Sequence, residues 1–116
     1  MAEKKRNTTE KALDGLAERL GGCKALRSGL IAFTLPGRGG GEYRLECQPG
    51  EVHVAEGKGQ QMHQIEVIGS PTKVRSLISG ERDAVSVFLS GGIRLRGDLR
   101  YASDLALELG LIEEPL

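Results

Sequence analysis

The sequence of 116 residues contains no tryptophan, only two phenylalanines and two tyrosines, and no excess charge of either sign. So few aromatic rings argue against the base-stacking surfaces of proteins that bind single-stranded nucleic acid. Because 16 basic and 16 acidic residues cancel, no net field attracts the chain to nucleic acid or to an anionic membrane. No apolar run reaches the length of a transmembrane helix. We therefore expect no nucleic-acid partner and no stable membrane insertion.

Cysteine and histidine are equally scarce. Cys23 and Cys47 match no redox or metal-binding spacing, and they are expected to be free thiols. His53 and His63 are the two imidazoles, and His53 lies between Val52 and Val54 in an alternating segment, on its solvent side. A zinc site would need about four converging ligands. The sequence thus predicts no metal site and no cofactor.

Motifs of catalysis are also missing. There is no G-x-S-x-G turn, and nothing in the sequence places Glu56 and Glu66 together in a cleft as an acid–base pair. The glycine-rich segment 37–41 precedes a predicted strand, whereas a phosphate-binding loop precedes a helix. We predict that the protein is not an enzyme and has no catalytic residues.

The terminal sequence and the length give expectations about organisation. The first ten residues, MAEKKRNTTE, lack the apolar segment of a signal peptide, so a cytoplasmic protein is expected. The length suits one domain over residues 1–116, with residues 1–7 as a flexible tail.

Hydrophobic periodicity predicts a mixture of helices and strands. Asn7, Ser70 and Asp98 each stand where a helix N-cap belongs, and Pro49-Gly50 suits a tight turn between two strands. Apolar residues recur at helical or at alternating spacing between these signals. The predicted strands are near 30–35, 42–48, 51–56, 62–68 and 93–97, and the predicted helices are near 8–20, 71–79, 83–90 and 99–109.

Residues 83–90 fit two patterns. Val85, Val87 and Leu89 alternate as in a strand, whereas Ala84, Val85, Phe88 and Leu89 share one side of a helix capped by Asp83. Short apolar helices on either side of Gly80 can form the wall of an apolar cavity against a sheet. An apolar face that is simply part of the core remains the alternative for these side chains.

The segment from Ile65 to Leu109 resembles the sterol carrier protein type 2 family. The family pattern consists of a small residue followed by glycine, an aromatic residue, a second glycine, two alternating apolar residues, the tripeptide Gly-Asp-Leu, and then alanine and leucine. It is matched by Ser79-Gly80, Phe88, Ser90-Gly91, Ile93, Leu95, Gly97-Asp98-Leu99, Ala102 and Leu105. Over residues 30–56 only the order of elements is similar. The chain does not end in the peroxisomal Ser-Lys-Leu tripeptide, so the resemblance does not imply peroxisomal import.

This resemblance implies an α+β fold, with a five-stranded, largely antiparallel sheet and helices packed on one face. It implies a helix at 83–90. It also implies non-enzymatic binding or transfer of a lipid, fatty acid, sterol or quinone-like molecule, as in small stand-alone bacterial members that serve lipid or quinone pathways. A scaffold or dimerisation module with a filled core is the alternative, and a homodimer is left open.

The expected cavity combines the first strand with the three later helices. Phe88 matches the aromatic position of the family. Arg94, Arg96 and Arg100 suit an anionic head group at the mouth of a pocket, but a solvated strand face accounts for them more simply. The predicted ligand-binding residues are Phe33, Leu35, Leu77, Ile78, Val85, Phe88, Leu89, Leu105 and Leu109.

Overall fold

The computed structural model describes residues 7–81 and 83–115. The helices are α1 (Thr8–Leu20), α2 (Pro71–Ser79), α3 (Ala84–Leu89) and α4 (Leu99–Glu108). The strands are β1 (Gly29–Leu35), β2 (Gly41–Gln48), β3 (Glu51–Glu56), β4 (His63–Gly69) and β5 (Ile93–Gly97). Of the predicted tail, residues 1–6 lie outside the described residues, and Asn7 is the N-cap of α1.

Side-chain caps define where three of the helices begin. The Asn7 side chain accepts a hydrogen bond from the Glu10 N–H at 2.8 Å. The Ser70 hydroxyl accepts one from Lys73 at 3.2 Å, and the Asp98 carboxylate accepts one from Tyr101 at 3.0 Å. Each bond satisfies a backbone donor of the first turn that has no partner within the helix. These three predicted caps are confirmed.

The five strands form one sheet in the order β3-β2-β1-β4-β5. Three of the four strand pairs are antiparallel, and β1 and β4 in the centre are parallel. The Pro49-Gly50 turn joins β2 to β3 as predicted, with Gly50 at a φ of 84°. The α+β fold and the largely antiparallel sheet are thus confirmed, and the crossover from β3 to β4 passes over β2 and β1.

Alternation along the strands divides the sheet into two faces. Ile31 and Phe33 of β1, with Leu45 of β2, point to the side where the helices lie and are at most 4% exposed. The other face carries charged side chains, and Ala32 of the central strand is buried there between Arg44 of β2 and Glu66 of β4 in the register. A period of two thus places the core between the sheet and the helices.

Helix α3 occupies the segment whose sequence fits two patterns. Asp83 stands at its N-cap position, but the carboxylate accepts the Ser86 hydroxyl at 2.9 Å and makes no cap bond to the backbone. The inward residues are Ala84, Val87 and Phe88, whereas Leu89 is 76% exposed. The predicted helix is present, but its buried side is rotated from the predicted one. A helix of six residues has too few turns for its sequence pattern to define one side.

Candidate functional site: an apolar cavity between sheet and helices

A cavity of about 140 Å³ lies between the helical side of the sheet and all four helices. Its wall consists only of alanine, valine, leucine, isoleucine and phenylalanine. The residues are Leu16, Leu20, Ile31, Phe33, Ile65, Val67, Val74, Leu77, Ile78, Ala84, Phe88, Ile93, Leu95, Ala102, Leu105, Ala106, Leu109, Leu111 and Ile112.

Six of the nine predicted ligand-binding residues lie in this wall. Phe33 contributes from β1 and Phe88 from α3, and the others come from α2, from α4 and from Leu109, the C-cap residue of α4. The six are Phe33, Leu77, Ile78, Phe88, Leu105 and Leu109.

The other three predicted residues, Leu35, Val85 and Leu89, do not line this cavity. Leu35 is 1% exposed and belongs to the core. It follows Phe33 by two residues along β1, a distance of about 7 Å, and it does not line the cavity. Val85 and Leu89 lie on the outer side of α3 and border a surface groove. The rotation of α3 explains the positions of Val85 and Leu89.

Sequence analysis missed two parts of the wall. Leu16 and Leu20 of α1 lie in the wall, and they were not among the predicted ligand-binding residues because no local pattern shows which part of the sheet a helix covers. Leu111 and Ile112 follow the last helix. Their apolar character directly after Gly110 was a signal that the segment returns to the core.

The surface groove adjoins the cavity. It has a volume of about 930 Å³ and lies between α3 and residues 110–115. Phe88, Leu111 and Ile112 border both spaces. Phe88 and Leu111 are partly exposed, whereas Ile112 is 7% exposed. The cavity and the groove therefore meet where α3 faces the C-terminal segment.

Polar contacts hold the helices around the cavity. The Arg19 guanidinium of α1 donates hydrogen bonds to the carbonyl oxygens of Ile78 and Leu109, at 3.1 and 2.7 Å. The Glu108 carboxylate accepts the backbone N–H groups of Ala25 and Lys24 at 2.6 and 2.9 Å, which lowers its pKa. These bonds link α1, α2, α4 and the segment before β1.

A second group of contacts lies at the start of α4. The Tyr101 hydroxyl accepts the Arg27 N–H at 2.8 Å, and the Arg27 guanidinium lies 4.3 Å from the centre of the Tyr101 ring. Arg27 also donates to Asp98 at 3.0 Å. The Tyr101 N–H, and then the guanidinium, lower the pKa of Asp98. Asp98 therefore acts as a cap and as the partner of Arg27.

The charged side chains of the sheet lie on its outer face, away from the cavity. The Glu66 carboxylate accepts the Thr34 hydroxyl at 2.6 Å and the Lys58 ammonium at 3.0 Å. The Thr34 bond, followed by Lys58, lowers the pKa of Glu66. Arg94 and Arg96 alternate with the cavity residues of β5 and are exposed. His53 is exposed as predicted, with Nε2 2.8 Å from Glu51.

The thiols and carboxylates form no reactive cluster where the structure describes them. Cys23 and Cys47 are free, as expected. Burial raises the pKa of Cys47 to about 11. Within residues 7–81 and 83–115, no group of three His, Cys, Asp or Glu side chains could hold a metal ion. Over the same ranges, no helix combines the length and hydrophobicity needed to cross a membrane.

The fold is similar to that of sterol carrier domains. The sterol carrier protein domain 2 of Helicoverpa armigera is 23% identical, with a TM-score of 0.64 over 93% of this chain and 85% of that chain. A protein described as UbiJ-SCP2 ubiquinone synthesis protein is 17% identical, with a TM-score of 0.61 over 84% of this chain and 79% of that chain.

One similar structure is part of a larger enzyme. The sec-alkylsulfatase Pisa1 from Pseudomonas sp. is 15% identical, with a TM-score of 0.61 over 92% of this chain but 14% of the enzyme chain. No curated protein matches the sequence. The model of the SCP-2 sterol transfer family matches residues 5–107. Since that match spans most of the sequence, the chain belongs to the SCP-2 sterol transfer family.

Proposed function

We propose that the protein binds the apolar part of a lipid-like molecule in the cavity between sheet and helices, and carries it without chemical change. The observation that supports this most is the composition of the wall, in which every side chain is apolar. Such a wall offers no hydrogen bonds to water, and it favours hydrocarbon. Phe33, Leu77, Ile78, Phe88, Leu105 and Leu109 are the proposed ligand contacts among the residues predicted from the sequence.

The energetics of the empty space support this function. Apolar side chains that border a space of about 140 Å³ lack packing partners on that side, which costs dispersion energy. A buried methylene group contributes about 0.8 kcal/mol. The apolar chain of a ligand therefore supplies contacts that the cavity wall lacks in the free protein. Before the entropy cost of ordering the ligand is subtracted, a chain of medium length gives enough free energy for micromolar binding.

The class of ligand is lipid, fatty acid, sterol or quinone-like. Membership of the SCP-2 sterol transfer family supports an apolar ligand in general. The structural likeness to a protein described as a ubiquinone synthesis protein makes a quinone with an apolar tail a suitable first probe. We place this activity in the cytoplasm, as expected from the sequence.

A scaffold function through protein–protein contacts is less well supported, because it requires a filled core and gives no reason for an unfilled apolar void. The likeness to an alkylsulfatase spans only a small part of that enzyme. The wall of the cavity offers no acid, base or nucleophile, which supports a binding function over catalysis.

Native mass spectrometry of the purified protein, followed by lipid extraction, tests the proposal. We expect one apolar molecule per chain, either retained from expression or taken up from added quinone, sterol or fatty-acid analogues. A protein that carries nothing and takes up none of these probes would refute the carrier function, and the scaffold alternative would then lead.

A further inference from the structure

Helix α3 is attached to the rest of the protein differently from the other helices. Among the described residues, its hydrogen bonds all have both partners within residues 83–92. The Asp83 carboxylate accepts the Ser86 hydroxyl, and the Ser90 hydroxyl donates to the Val87 carbonyl at 3.0 Å. Within the described chain, apolar packing alone therefore holds α3 against its neighbours.

The other three helices are linked to one another or to the sheet side by side-chain hydrogen bonds. Arg19 of α1 donates to carbonyl oxygens at the ends of α2 and α4. The Arg75 guanidinium of α2 donates to the Thr9 hydroxyl of α1 at 3.0 Å. The Glu108 carboxylate of α4 accepts two N–H groups of the segment before β1. Moving any of these helices outward breaks such bonds, whereas moving the described part of α3 breaks apolar contacts.

A glycine lies near each end of α3, in open space. Gly80 ends α2 with a φ of 79°, and Gly91 follows α3 with a φ of 80°. A Cβ at either position would meet no atom within 4 Å. Glycine adopts a wide range of backbone angles, and the lack of neighbours leaves room for rotation there. The two glycines can thus act as hinges on either side of α3.

One side chain anchors α3 in the core. Val87 is 7% exposed and belongs to the core, but it does not line the cavity. Ala84 and Phe88 line the cavity, so part of their inner surface faces open space. Val85 and Leu89 border the groove on the outer side. Segments with so little buried apolar contact open locally at a low free-energy cost.

The helix also lies where the cavity and the groove meet. Phe88, Leu111 and Ile112 border both spaces. A ligand that moves from the groove into the cavity passes between these side chains. Because Phe88 belongs to α3, an outward movement of the helix draws its ring out of this passage.

Building on the proposed function, we infer that α3 is the gate of the cavity, and that the ligand enters and leaves between α3 and residues 110–115 when the helix swings outward about Gly80 and Gly91. The gate is closed both before and after binding. It therefore sets how fast the ligand exchanges and not how tightly the ligand binds. Val87 keeps the gate closed without touching the ligand.

Val87→Ala tests the gate, because it weakens the anchor and leaves the residues of the cavity wall unchanged. Stopped-flow fluorescence with pyrene-labelled dodecanoate measures the rates of uptake and release. Both rates should rise about tenfold, since two buried methyl groups are lost. The Kd should stay within about twofold of the wild-type value, because the free and the bound closed states are weakened equally.

Val54→Ala is the matched control. It removes the same two groups from β3, at the sheet edge opposite β5, and Val54 packs against the core without lining the cavity. It should change neither rate.

Hydrogen exchange of the ligand-free wild type gives a second test, which decides the matter if Val87→Ala does not fold. The N–H groups of Val87, Ser90 and Gly92 bond to carbonyl oxygens within residues 83–92. They should exchange by local opening, about tenfold or more faster than the N–H groups in the middle of α1 and α4. Exchange in α3 as slow as in α4 would overturn the gate.

The outcomes separate the gate from the proposed function. Unchanged rates in Val87→Ala, or equal changes in Val87→Ala and Val54→Ala, would overturn the gate while the carrier function stands. A weaker affinity of Val87→Ala with an unchanged uptake rate would assign Val87 to the shape of the site and would also overturn the gate. Wild-type protein that binds neither this probe nor quinone or sterol analogues would overturn both proposals.

Discussion

Arg19 of α1 and Leu109 at the end of α4 are joined by a hydrogen bond of 2.7 Å from the guanidinium to the carbonyl oxygen. The same guanidinium bonds the Ile78 carbonyl at the end of α2 at 3.1 Å. Both carbonyl groups belong to residues of the cavity wall, so one surface arginine connects three helices around the proposed binding site. A cation at two helix ends also complements their negative dipole ends.

Arg19→Met should destabilise the protein by about 1 kcal/mol, because the carbonyl groups of Ile78 and Leu109 lose a charged donor. The loss is modest because the site is partly exposed and water can replace the donor. The loss of this link should also speed ligand release. Urea unfolding and stopped-flow displacement of a bound probe measure the two effects. Arg19→Lys retains the positive charge and can donate to one of the two carbonyl groups, so it should show smaller changes. An unchanged rate of ligand release in Arg19→Met would disprove the connection to the cavity.

Phe88→Glu should abolish uptake of a fluorescent lipid analogue, since the charge would have to be desolvated against an apolar ligand. Leu77→Glu should do the same from α2. Leu99→Glu is the matched control, because Leu99 is 50% exposed and outside the wall. Equal loss of uptake in Phe88→Glu and Leu99→Glu, with circular dichroism spectra unchanged, would argue against the cavity as the binding site.

Asp98→Ala should lower the midpoint of thermal unfolding, because the first turn of α4 loses its cap and Arg27 loses its partner. The pKa of Asp98 is lowered in the folded protein from its ordinary value of 3.8. Its contribution is therefore present at neutral pH and is lost as the pH falls through the folded pKa. The stability difference between wild type and variant should accordingly shrink in acid.

Ligand binding by folded Asp98→Ala should be nearly intact, since Asp98 lies outside the cavity wall. A variant that unfolds at the wild-type temperature but no longer binds the probe would instead identify Asp98 as a binding residue.

Gly97→Ala should destabilise the protein by roughly 2 kcal/mol or more, because its φ of 100° is unfavourable for other residues and the new methyl group would clash with the backbone oxygen of Gln64. Gly15→Ala is the contrasting change. Gly15 lies within α1, and a Cβ there has no atom within 4 Å. It should stabilise by about 0.5–1 kcal/mol. Chemical denaturation of both variants measures these opposite shifts.

Cys23 should be alkylated by iodoacetamide well before Cys47 in the folded protein. Cys23 is partly exposed, whereas Cys47 is 3% exposed and its pKa is raised to about 11 by burial. Little of the reactive thiolate of Cys47 therefore forms at neutral pH. Mass spectrometry of the time course follows the two sites, and unfolding in denaturant should remove the difference. Equal rates in the native state would show that β2 opens readily.

The sequence by itself determined the local structure of this protein. Asn7, Ser70 and Asp98 define helix starts because a side-chain oxygen there satisfies backbone donors within the next turn, whatever surrounds it. Alternation in β2 and the Pro49-Gly50 turn likewise depend on neighbouring residues alone. The predicted strands and helices consequently lie within one residue of those observed at every boundary, and the family resemblance correctly indicated a helix at 83–90.

Tertiary structure decided which apolar faces meet. The parallel pairing of β1 with β4 depends on a crossover that no local signal specifies. It places Ile31 and Phe33 beside Ile65 and Val67 in the cavity wall. Leu35 has the same periodicity as Phe33 but lies beyond the cavity, and α3 buries Val87 while Leu89 remains exposed. Periodicity shows that a side chain is buried, whereas only packing against distant elements determines whether it meets other side chains or an open space.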